Sequence, residues 1–232
     1  MKPFWRDKRP GKICIPVVET TAKKASGAVE KANGLADLIE LRVDYLRPPT
    51  LDPLLVRGKK PVVVTSRRRE EGGQFNGDEK KRLAILREAV DLGADFVDVE
   101  LKSKPPFLRE LIYHKEGTRI ILSFHDFQRT VSPRELRDLC GRMMGWGVEV
   151  IKIAPFARTF EDNLKILSLI PYARERKQKI VAFCMGEKGK MSRIFAPLMG
   201  AAWTYASMNR QRASAPGQLT ARELKEIWER LG

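Results

Sequence analysis

Val148-Glu-Val-Ile-Lys-Ile-Ala154 has the β-branched residues and the short, turn-bounded length of a buried strand. Lys152 lies in the middle of this run, where a hydrated surface lysine is out of place. Burial disfavours the ammonium form, and a neutral amine can attack a ketone or aldehyde to form a Schiff base. The alternative is an edge strand whose lysine extends to water, so the rest of the chain has to distinguish the two.

Short apolar runs of the same kind recur along the chain and alternate with amphipathic helical patterns. Eight strands, most of them followed by a helix, in 232 residues predict the α/β class and a (β/α)8 TIM barrel that forms a single domain over residues 1–232. A doubly wound open sheet is the alternative, but the sequence contains no GxGxxG or Walker motif. The strands are predicted at 12–18, 36–43, 61–66, 95–101, 118–124, 148–154, 179–184 and 201–206, and helices at 78–92, after the N-cap Ser132, at 162–172 and at 220–231.

The charge balance does not indicate a nucleic-acid partner. The net charge is +15, but the 44 Lys and Arg residues are spread along the whole chain among 29 acidic residues. The aromatic residues do not alternate with basic ones as a base-stacking surface requires. We therefore expect a charged surface with a basic bias, part of which can steer an anionic substrate. A nucleic-acid-binding protein remains the alternative that the charge alone suggests.

Hydropathy and cysteine usage indicate a cytoplasmic protein. No apolar stretch approaches the roughly 18 residues that a membrane span needs, and the N-terminus lacks the apolar core of a secretory signal. Cys14, Cys140 and Cys184 are isolated and show no CxxC spacing. An odd, scattered set is typical of a reducing cytoplasm rather than of a disulfide framework or a zinc site. We expect no membrane partner and no metal.

Charged residues are concentrated where the second and third strands end, which is where a TIM barrel carries its active site. In Glu40-Leu-Arg42-Val-Asp44, alternation puts the three charged residues on one face. Three charges on one face are costly unless they pair and meet a ligand, and a structural ion-pair cluster is the alternative. The third strand runs into Arg67 and then Glu71-Gly-Gly, which can equally be a charged surface loop.

The later strands end in residues with catalytic chemistry. The fifth strand delivers His125 at the position of a general acid or base, and a satisfied core histidine is the alternative. With Lys152 on the next strand, it suggests imine chemistry and proton transfer beside the former carbonyl. Arg193 lies where a Gly-rich turn enters a helix and can bind an anion, and Ser214 and Gln218 lie on a tight turn after the eighth strand. The same loops are compatible with a phosphate site.

Together these residues resemble the type I 3-dehydroquinate dehydratases, the Schiff-base dehydratases of the shikimate pathway. The resemblance covers nearly the whole chain, and the joint occurrence of six motifs at compatible spacing is highly specific although no single motif is. The motifs are Glu40-Leu-Arg42-Val-Asp44, Arg67 with Glu71-Gly-Gly, Phe124-His125-Asp126, Ile151-Lys152-Ile-Ala, Met185-Gly186 with Ser192-Arg193, and Ser214-Ala-Pro-Gly-Gln218.

The resemblance implies a cofactor-free conversion of 3-dehydroquinate to 3-dehydroshikimate by syn elimination of water, in aromatic amino acid biosynthesis, by a homodimer. Lys152 is the residue that condenses with the C3 ketone. His125 is the general base and acid, and Glu71 orients it and is expected to raise its pKa. The implied substrate contacts are from Glu40, Arg42 and Arg67 to the ring hydroxyls, and from Arg193, Ser214 and Gln218 to the carboxylate side.

Two further expectations concern the surroundings of the site. Met185 and Tyr205 occupy positions where the family packs apolar or aromatic surface around the substrate. Asp98 and Glu100 face the same way on the fourth strand and are expected to support Lys152 without contacting the substrate themselves.

A class I aldolase is the main enzymatic alternative. It also needs a lysine at the end of a barrel strand, but it cleaves C–C bonds and commonly binds a phosphorylated substrate. The Glu71-Gly-Gly loop, the single strand-end histidine and the 214–218 turn are better suited to a hydroxylated ring that carries a carboxylate.

Overall fold

The computed structural model of the protein describes residues 11–55 and 60–231. Eight parallel strands alternate with helices and form a nearly closed barrel, which confirms the predicted (β/α)8 TIM barrel. The strands are β1 (Ile13–Val17), β2 (Leu38–Arg42), β3 (Val62–Thr65), β4 (Phe96–Glu100), β5 (Arg119–Asp126), β6 (Val150–Pro155), β7 (Lys179–Ala182) and β8 (Thr204–Tyr205).

The helices lie outside the strands. Those predicted near 78–92, after Ser132 and at 220–231 are confirmed, and the capping box between Ser132 and Glu135 is formed. The described helices are α1 (Ala22–Asn33), α2 (Glu79–Asp91), α3 (Pro105–Tyr113), α4 (Pro133–Met144), α5 (Glu161–Leu167), α6 (Leu169–Glu175), α7 (Lys190–Leu198) and α8 (Ala221–Leu231).

The helix predicted at 162–172 is broken, and the prediction of one continuous element is wrong. Helices α5 and α6 meet at Ser168, whose hydroxyl donates to the Lys165 carbonyl at 2.7 Å. Pro171 lies in the first turn of α6 and has no N–H to continue the hydrogen bonds of α5.

The barrel closes between β7 and β8. In the sheet the order is β7-β6-β5-β4-β3-β2-β1-β8, and β8 pairs with β1. The Ala202 amide, just before β8, donates to the Ile180 carbonyl of β7 at 2.8 Å. Strand β8 is much shorter than the predicted 201–206, since Ala201 to Trp203 approach the sheet without strand geometry.

Strand alternation separates two apolar cores and determines where Lys152 points. Along β6, Ile151 and Ile153 belong to the core between strands and helices, whereas Val150 and Ala154 belong to the core inside the barrel. Lys152 therefore faces the barrel interior. The inner core also contains Cys14, Leu38, Val63, Phe96, Ile121, Val181, Phe183, Met185, Trp203 and Tyr205.

Acidic residues hold the strand starts at the amino end of the barrel, opposite the predicted site. Each of them directly precedes an even-numbered strand and accepts the first or second amide of the strand before it. The pairs are Asp37 with Ile13 at 3.0 Å, Asp95 with Val62 at 2.9 Å, and Glu149 with Ile120 at 2.8 Å. These bonds satisfy amides that have no strand partner at this end.

Candidate active site

The structure brings all nine predicted site residues to one pocket at the carboxyl ends of the strands. Met185 and Tyr205 line it as well. The other lining residues are Gly72, Ala154 and Ala215, which lie inside the predicted motifs, and Phe127 and Phe183, which sequence reasoning did not single out. The signal for most of them was their position within two residues of a strand end or of another site residue.

Lys152 is 4 % exposed at the floor of this pocket. Its strand lies between β5 and β7, so the edge-strand alternative is wrong. The amine Nζ lies 3.1 Å from Asp98 Oδ2, 3.6 Å from Glu40 Oε1 and 4.2 Å from the ring centre of Tyr205. A cationic nitrogen at this position therefore meets two carboxylates and an aromatic face.

Arg42 is held by Asp44 in a bidentate ion pair at the end of β2. The Arg42 Nε and Nη2 donate to the two Asp44 oxygens at 2.9 and 2.8 Å. Asp44 lies in a 3-10 turn at 43–45 and also accepts the Gln74 amide at 2.9 Å. The strand end and the loop that follows Glu71 are thereby joined, and the planar fork of Arg42 has one fixed orientation.

Arg67 is the centre of a buried ion-pair network. Its guanidinium contacts Asp98 Oδ2 at 2.8 Å and Glu100 Oε1 at 3.0 Å, and it donates to the Ser123 hydroxyl at 2.7 Å. Burial acts to raise the pKa of Asp98, but the charges of Arg67 and Lys152 hold that pKa far below its ordinary value. Asp98 therefore stays ionised between the two cations.

The expected support of Lys152 by β4 is found for Asp98 and not for Glu100. Asp98 contacts the amine directly, whereas Glu100 pairs with Arg67 and with Arg82 of α2. The two acidic residues lie on the same face of β4, as expected, but they are two residues apart along the strand. Asp98 therefore reaches Lys152, whereas Glu100 binds Arg67.

His125 is bound to Glu71 in the geometry of an oriented acid–base residue. Glu71 Oε2 lies 3.0 Å from His125 Nδ1 and also accepts the His125 backbone amide at 3.1 Å. The carboxylate thereby selects the tautomer with the proton on Nδ1 and leaves Nε2 as the acceptor. His125 and Glu71 both line the pocket.

The pKa of His125 is lowered overall, so the net rise expected beside Glu71 does not occur. Burial and the charges of Arg67 and Lys152 lower that pKa well below its ordinary value. The same burial raises the pKa of Glu71 to about 7. The imidazole is therefore neutral in the free site, which is the form that accepts a proton.

Glycines let the loop after β3 approach the site closely. Gly72 has φ +78° and lies against Phe127, and a Cβ there would come within 2.3 Å of that ring. A Cβ on Gly73 would lie 1.9 Å from the Arg67 carbonyl oxygen. The loop can therefore pack over Arg67 and aim Glu71 inward only with glycine at both positions.

Arg193 presents unpaired donors to the pocket. It is 1 % exposed, and its Nε and Nη1 have no hydrogen-bond partner among the described residues. The guanidinium lies over the Phe183 ring at 4.2 Å and reaches the Pro216 carbonyl through Nη2 at 3.5 Å. Burial lowers the pKa of Arg193 to about 10, so the group remains a cation at neutral pH. An anionic ligand would satisfy these donors.

The 214–218 loop covers the side of the pocket near Arg193. The Ser214 amide and hydroxyl contact Gln218 Oε1 at 2.8 and 3.3 Å, and the buried Gln218 Nε2 has no partner within the described part of the chain. The Gly186 amide binds the Pro216 carbonyl at 3.0 Å. This contact joins the loop after β8 to the loop after β7. Within the described ranges, no group of three or more His, Cys, Asp and Glu side chains is arranged to hold a metal ion.

We predict that Glu71→Gln increases the stability of the protein at high pH. Because folding raises the pKa of Glu71 from 4.5 to about 7, its ionisation opposes folding, and the penalty grows as pH rises through this range. The gain in free energy of unfolding should be about 2 kcal/mol larger at pH 8.5 than at pH 5. Urea unfolding at both pH values measures it, with the adjacent exposed Glu70→Gln as control. An equal change at both pH values would contradict the prediction.

Comparison with known proteins agrees with this geometry. The family model for type I 3-dehydroquinase matches residues 13–232. The 3-dehydroquinate dehydratase of Methanocaldococcus jannaschii is 36% identical over 220 residues, covering 93% of this chain and 97% of that protein. The bifunctional 3-dehydroquinate dehydratase/shikimate dehydrogenase of Arabidopsis thaliana is 34% identical over 227 residues, covering 95% of this chain and 37% of that protein.

A solved structure shares the whole barrel. The 3-dehydroquinate dehydratase of Geobacillus kaustophilus superposes with a TM-score of 0.88 at 26% identity, covering 95% of this chain and 91% of that one. The match therefore extends over the strands that carry the pocket as well as over the sequence motifs. The chain belongs to the type I 3-dehydroquinase family.

Proposed function

We propose that this enzyme, a 3-dehydroquinate dehydratase of the shikimate pathway and hence a hydro-lyase, acts through a Schiff base on Lys152. One observation carries the proposal: one pocket is lined by the buried amine of Lys152, the Glu71-bound imidazole of His125 and the Arg193 guanidinium, two of whose nitrogens have no partner among the described residues. The relatives named 3-dehydroquinate dehydratase support the substrate.

Imine formation is assigned to Lys152 and its two carboxylate neighbours. The free amine adds to the C3 carbonyl of 3-dehydroquinate, and the carbinolamine loses its oxygen as water to leave a protonated imine. We assign the proton that the ammonium must lose first to Glu40, whose Oε1 lies 3.6 Å from Nζ, just beyond hydrogen-bond distance. Asp98, ionised and 3.1 Å away, stabilises the positive charge of the iminium.

Elimination is assigned to His125. The iminium withdraws electrons from the neighbouring C2–H bond, and the neutral Nε2 of His125 accepts that proton. The electron pair moves into the imine as an enamine. It then expels the C1 hydroxyl, which leaves as water after taking the proton back from His125 on the same face of the ring. Hydrolysis of the product imine releases 3-dehydroshikimate and regenerates the Lys152 amine.

Substrate binding is divided between two sides of the pocket. Glu40, Arg42 and Arg67 lie beside Lys152 and suit the ring hydroxyls, because carboxylates accept and guanidinium groups donate. On the opposite side, a carboxylate would satisfy the unpaired nitrogens of Arg193 and the free amide group of Gln218. Ser214 holds Gln218 in this orientation.

We predict that Arg193→Leu mainly weakens substrate binding. The change removes a charge-assisted contact to the carboxylate that is present in substrate and transition state alike, so KM should rise about 10- to 100-fold with a smaller change in kcat. Steady-state kinetics with 3-dehydroquinate measure both constants. The exposed Arg176→Leu is the control. A variant that lost kcat at unchanged KM would contradict the carboxylate assignment.

The direct test of the reaction is the appearance of the conjugated enone of 3-dehydroshikimate, followed by absorbance after addition of 3-dehydroquinate. The same assay separates the proposal from a class I aldolase, which would cleave a C–C bond and form no enone. Absence of the enone with a folded enzyme and authentic substrate would refute the dehydratase proposal.

We also propose that the enzyme is a cytoplasmic homodimer built from single-domain chains. Free, buried Cys14, Cys140 and Cys184 suit a reducing compartment. Among the described residues, no helix is both long and apolar enough to cross a membrane. Light scattering coupled to size-exclusion chromatography tests the dimer, for which a mass of twice 26.4 kDa is expected.

A further inference from the structure

Arg82 is a buried arginine that the reaction proposed above does not use. It lies on α2, outside the barrel, and is 2 % exposed. It is not among the residues that line the pocket. Its Nε and Nη2 donate to the two carboxylate oxygens of Glu79 at 3.0 and 2.8 Å, and Nη2 also donates to the Ser103 hydroxyl at 2.6 Å. An arginine is rarely buried to this extent unless it is paired.

The inner partner of Arg82 is Glu100. Arg82 Nη1 donates to Glu100 Oε2 and, at 3.3 Å, to the Ser66 carbonyl just before Arg67. The other oxygen of the same carboxylate, Oε1, accepts from Arg67 Nη1 at 3.0 Å and from the Arg68 amide at 3.2 Å. Glu100 therefore binds Arg82 of α2 with one carboxylate oxygen and Arg67 of the pocket with the other.

A line of alternating charges connects α2 to the reactive amine. Arg82 pairs with Glu100, Glu100 with Arg67, Arg67 with Asp98 at 2.8 Å, and Asp98 with Lys152 at 3.1 Å. The side chains of Glu100 and Asp98 have no solvent exposure. Each charge in such a line depends on its neighbours for compensation, since water cannot supply it.

Loss of the Arg82 charge would therefore change the contacts of Arg67. Glu100 Oε2 would be buried without a cationic partner, and Glu100 would have to take up a proton or draw Arg67 toward itself. Either response changes the Arg67–Asp98 contact. Burial acts to lower the pKa of Arg82, but the hydrogen bond to Glu79 and the charge of Glu100 raise it above its ordinary value. Arg82 therefore contributes a permanent positive charge to the network.

We propose that Arg82 is a positioning residue that sets the geometry of Arg67 in the substrate pocket by holding Glu100 from outside the barrel. The proposal rests on the proposed function in one respect, because it takes Arg67 to contact the substrate. Helix α2 would then help to position the substrate, although it does not line the pocket.

The first test compares Arg82→Met with Arg87→Met. Both arginines lie on α2 and pair with a glutamate, but Arg87 pairs with the exposed Glu110 at 2.8 Å. We expect Arg82→Met to lower kcat/KM for 3-dehydroquinate about 10- to 100-fold, because a small displacement of a substrate-binding group is costly. Arg87→Met should stay within about twofold of the parent. Equal kcat/KM in the two variants would overturn the proposal.

A double-mutant cycle separates positioning from a general loss of structure. If Arg82 acts through Arg67, Arg82→Met should cost at most about twofold when Arg67 is already replaced by Met. An undiminished loss in the Arg67→Met background would overturn the proposal. Should Arg82→Met fail to fold, Arg82→Lys keeps the charge and loses the fork that spans Glu79, Glu100 and Ser103. We then expect about a tenfold loss relative to Arg87→Lys, and equal values would refute the role.

The parent enzyme distinguishes failure of this proposal from failure of the proposed function. If the parent and Arg87→Met form the enone from 3-dehydroquinate and Arg82→Met does so equally well, the reaction stands and the role of Arg82 is refuted. If the parent forms no enone, the proposed function fails, and with it the premise about Arg67.

Discussion

Lys152→Ala is expected to reduce turnover of 3-dehydroquinate by at least about 10⁴-fold, because no other lysine is among the described residues that line the pocket. Substrate binding should persist in weakened form, since Arg42, Arg67 and Arg193 still line the pocket. The cavity also leaves Asp98 and Glu40 without their shared cation, so thermal melting must accompany the kinetics. Lys152→Met retains most of the side-chain volume and should be equally inactive.

Reduction with borohydride identifies the residue directly. Incubation of the parent enzyme with 3-dehydroquinate and borohydride should abolish activity irreversibly and add the mass of a reduced adduct to the peptide that contains Lys152. The exposed Lys31→Ala, in the last turn of α1, serves as control and should be labelled like the parent. An unmodified Lys152 peptide in a fully inactivated enzyme would rule out the Schiff-base mechanism.

His125→Ala is expected to lower kcat by about 10²- to 10⁴-fold, the usual effect of losing a general acid–base group. Imine formation should continue slowly, because Lys152 and its two carboxylates are unchanged. The variant should therefore accumulate imine that elimination cannot consume. Its signature is a high fraction of borohydride-reducible adduct together with very slow enone formation, measured by intact-protein mass spectrometry and absorbance.

The chain supplies a matched control for this experiment. His114, the other histidine, lies exposed at the end of α3 beside Tyr113. His114→Ala should keep parental kcat and show no excess of trapped imine. If His125→Ala retained near-normal turnover, or lost imine formation and elimination to the same degree, His125 would not be the residue that transfers the C2 proton.

Strand and loop order could be predicted well, because both depend on local patterns. Period-two alternation in β2 and β6 determines which side chains face the barrel, and the position of His125 at a strand end follows from the apolar run before it. One error concerns a local signal, a proline inside a predicted helix, and the other lies where distant packing outweighs local pattern. Pro171 divides one predicted helix, and β8 loses most of its predicted length at the seam of the barrel.

In the site, too, the residues could be predicted from the sequence and the contact distances could not. The identities of Lys152, His125 and Arg193 and the order of their strands are written in the sequence. Glu71 and Asp98 are predicted as partners, but the distances of these contacts are not, since the contacts of Lys152 with Asp98 and of His125 with Glu71 each join residues 54 positions apart. The pKa of His125 was predicted in the wrong direction for this reason: the sequence indicates a carboxylate partner, but burial and two nearby cations outweigh it.

Residue type and short-range periodicity were enough to predict the alternation of strands and helices, the inward faces of β2 and β6 and the set of reactive side chains. Tertiary structure alone decided how the charges pair. The line from Arg82 through Glu100, Arg67 and Asp98 to Lys152 joins a helix, two strands and the loop after β3. Buried charges pair with whatever the closed barrel brings within a few ångströms, and such distances cannot be inferred from separation along the chain.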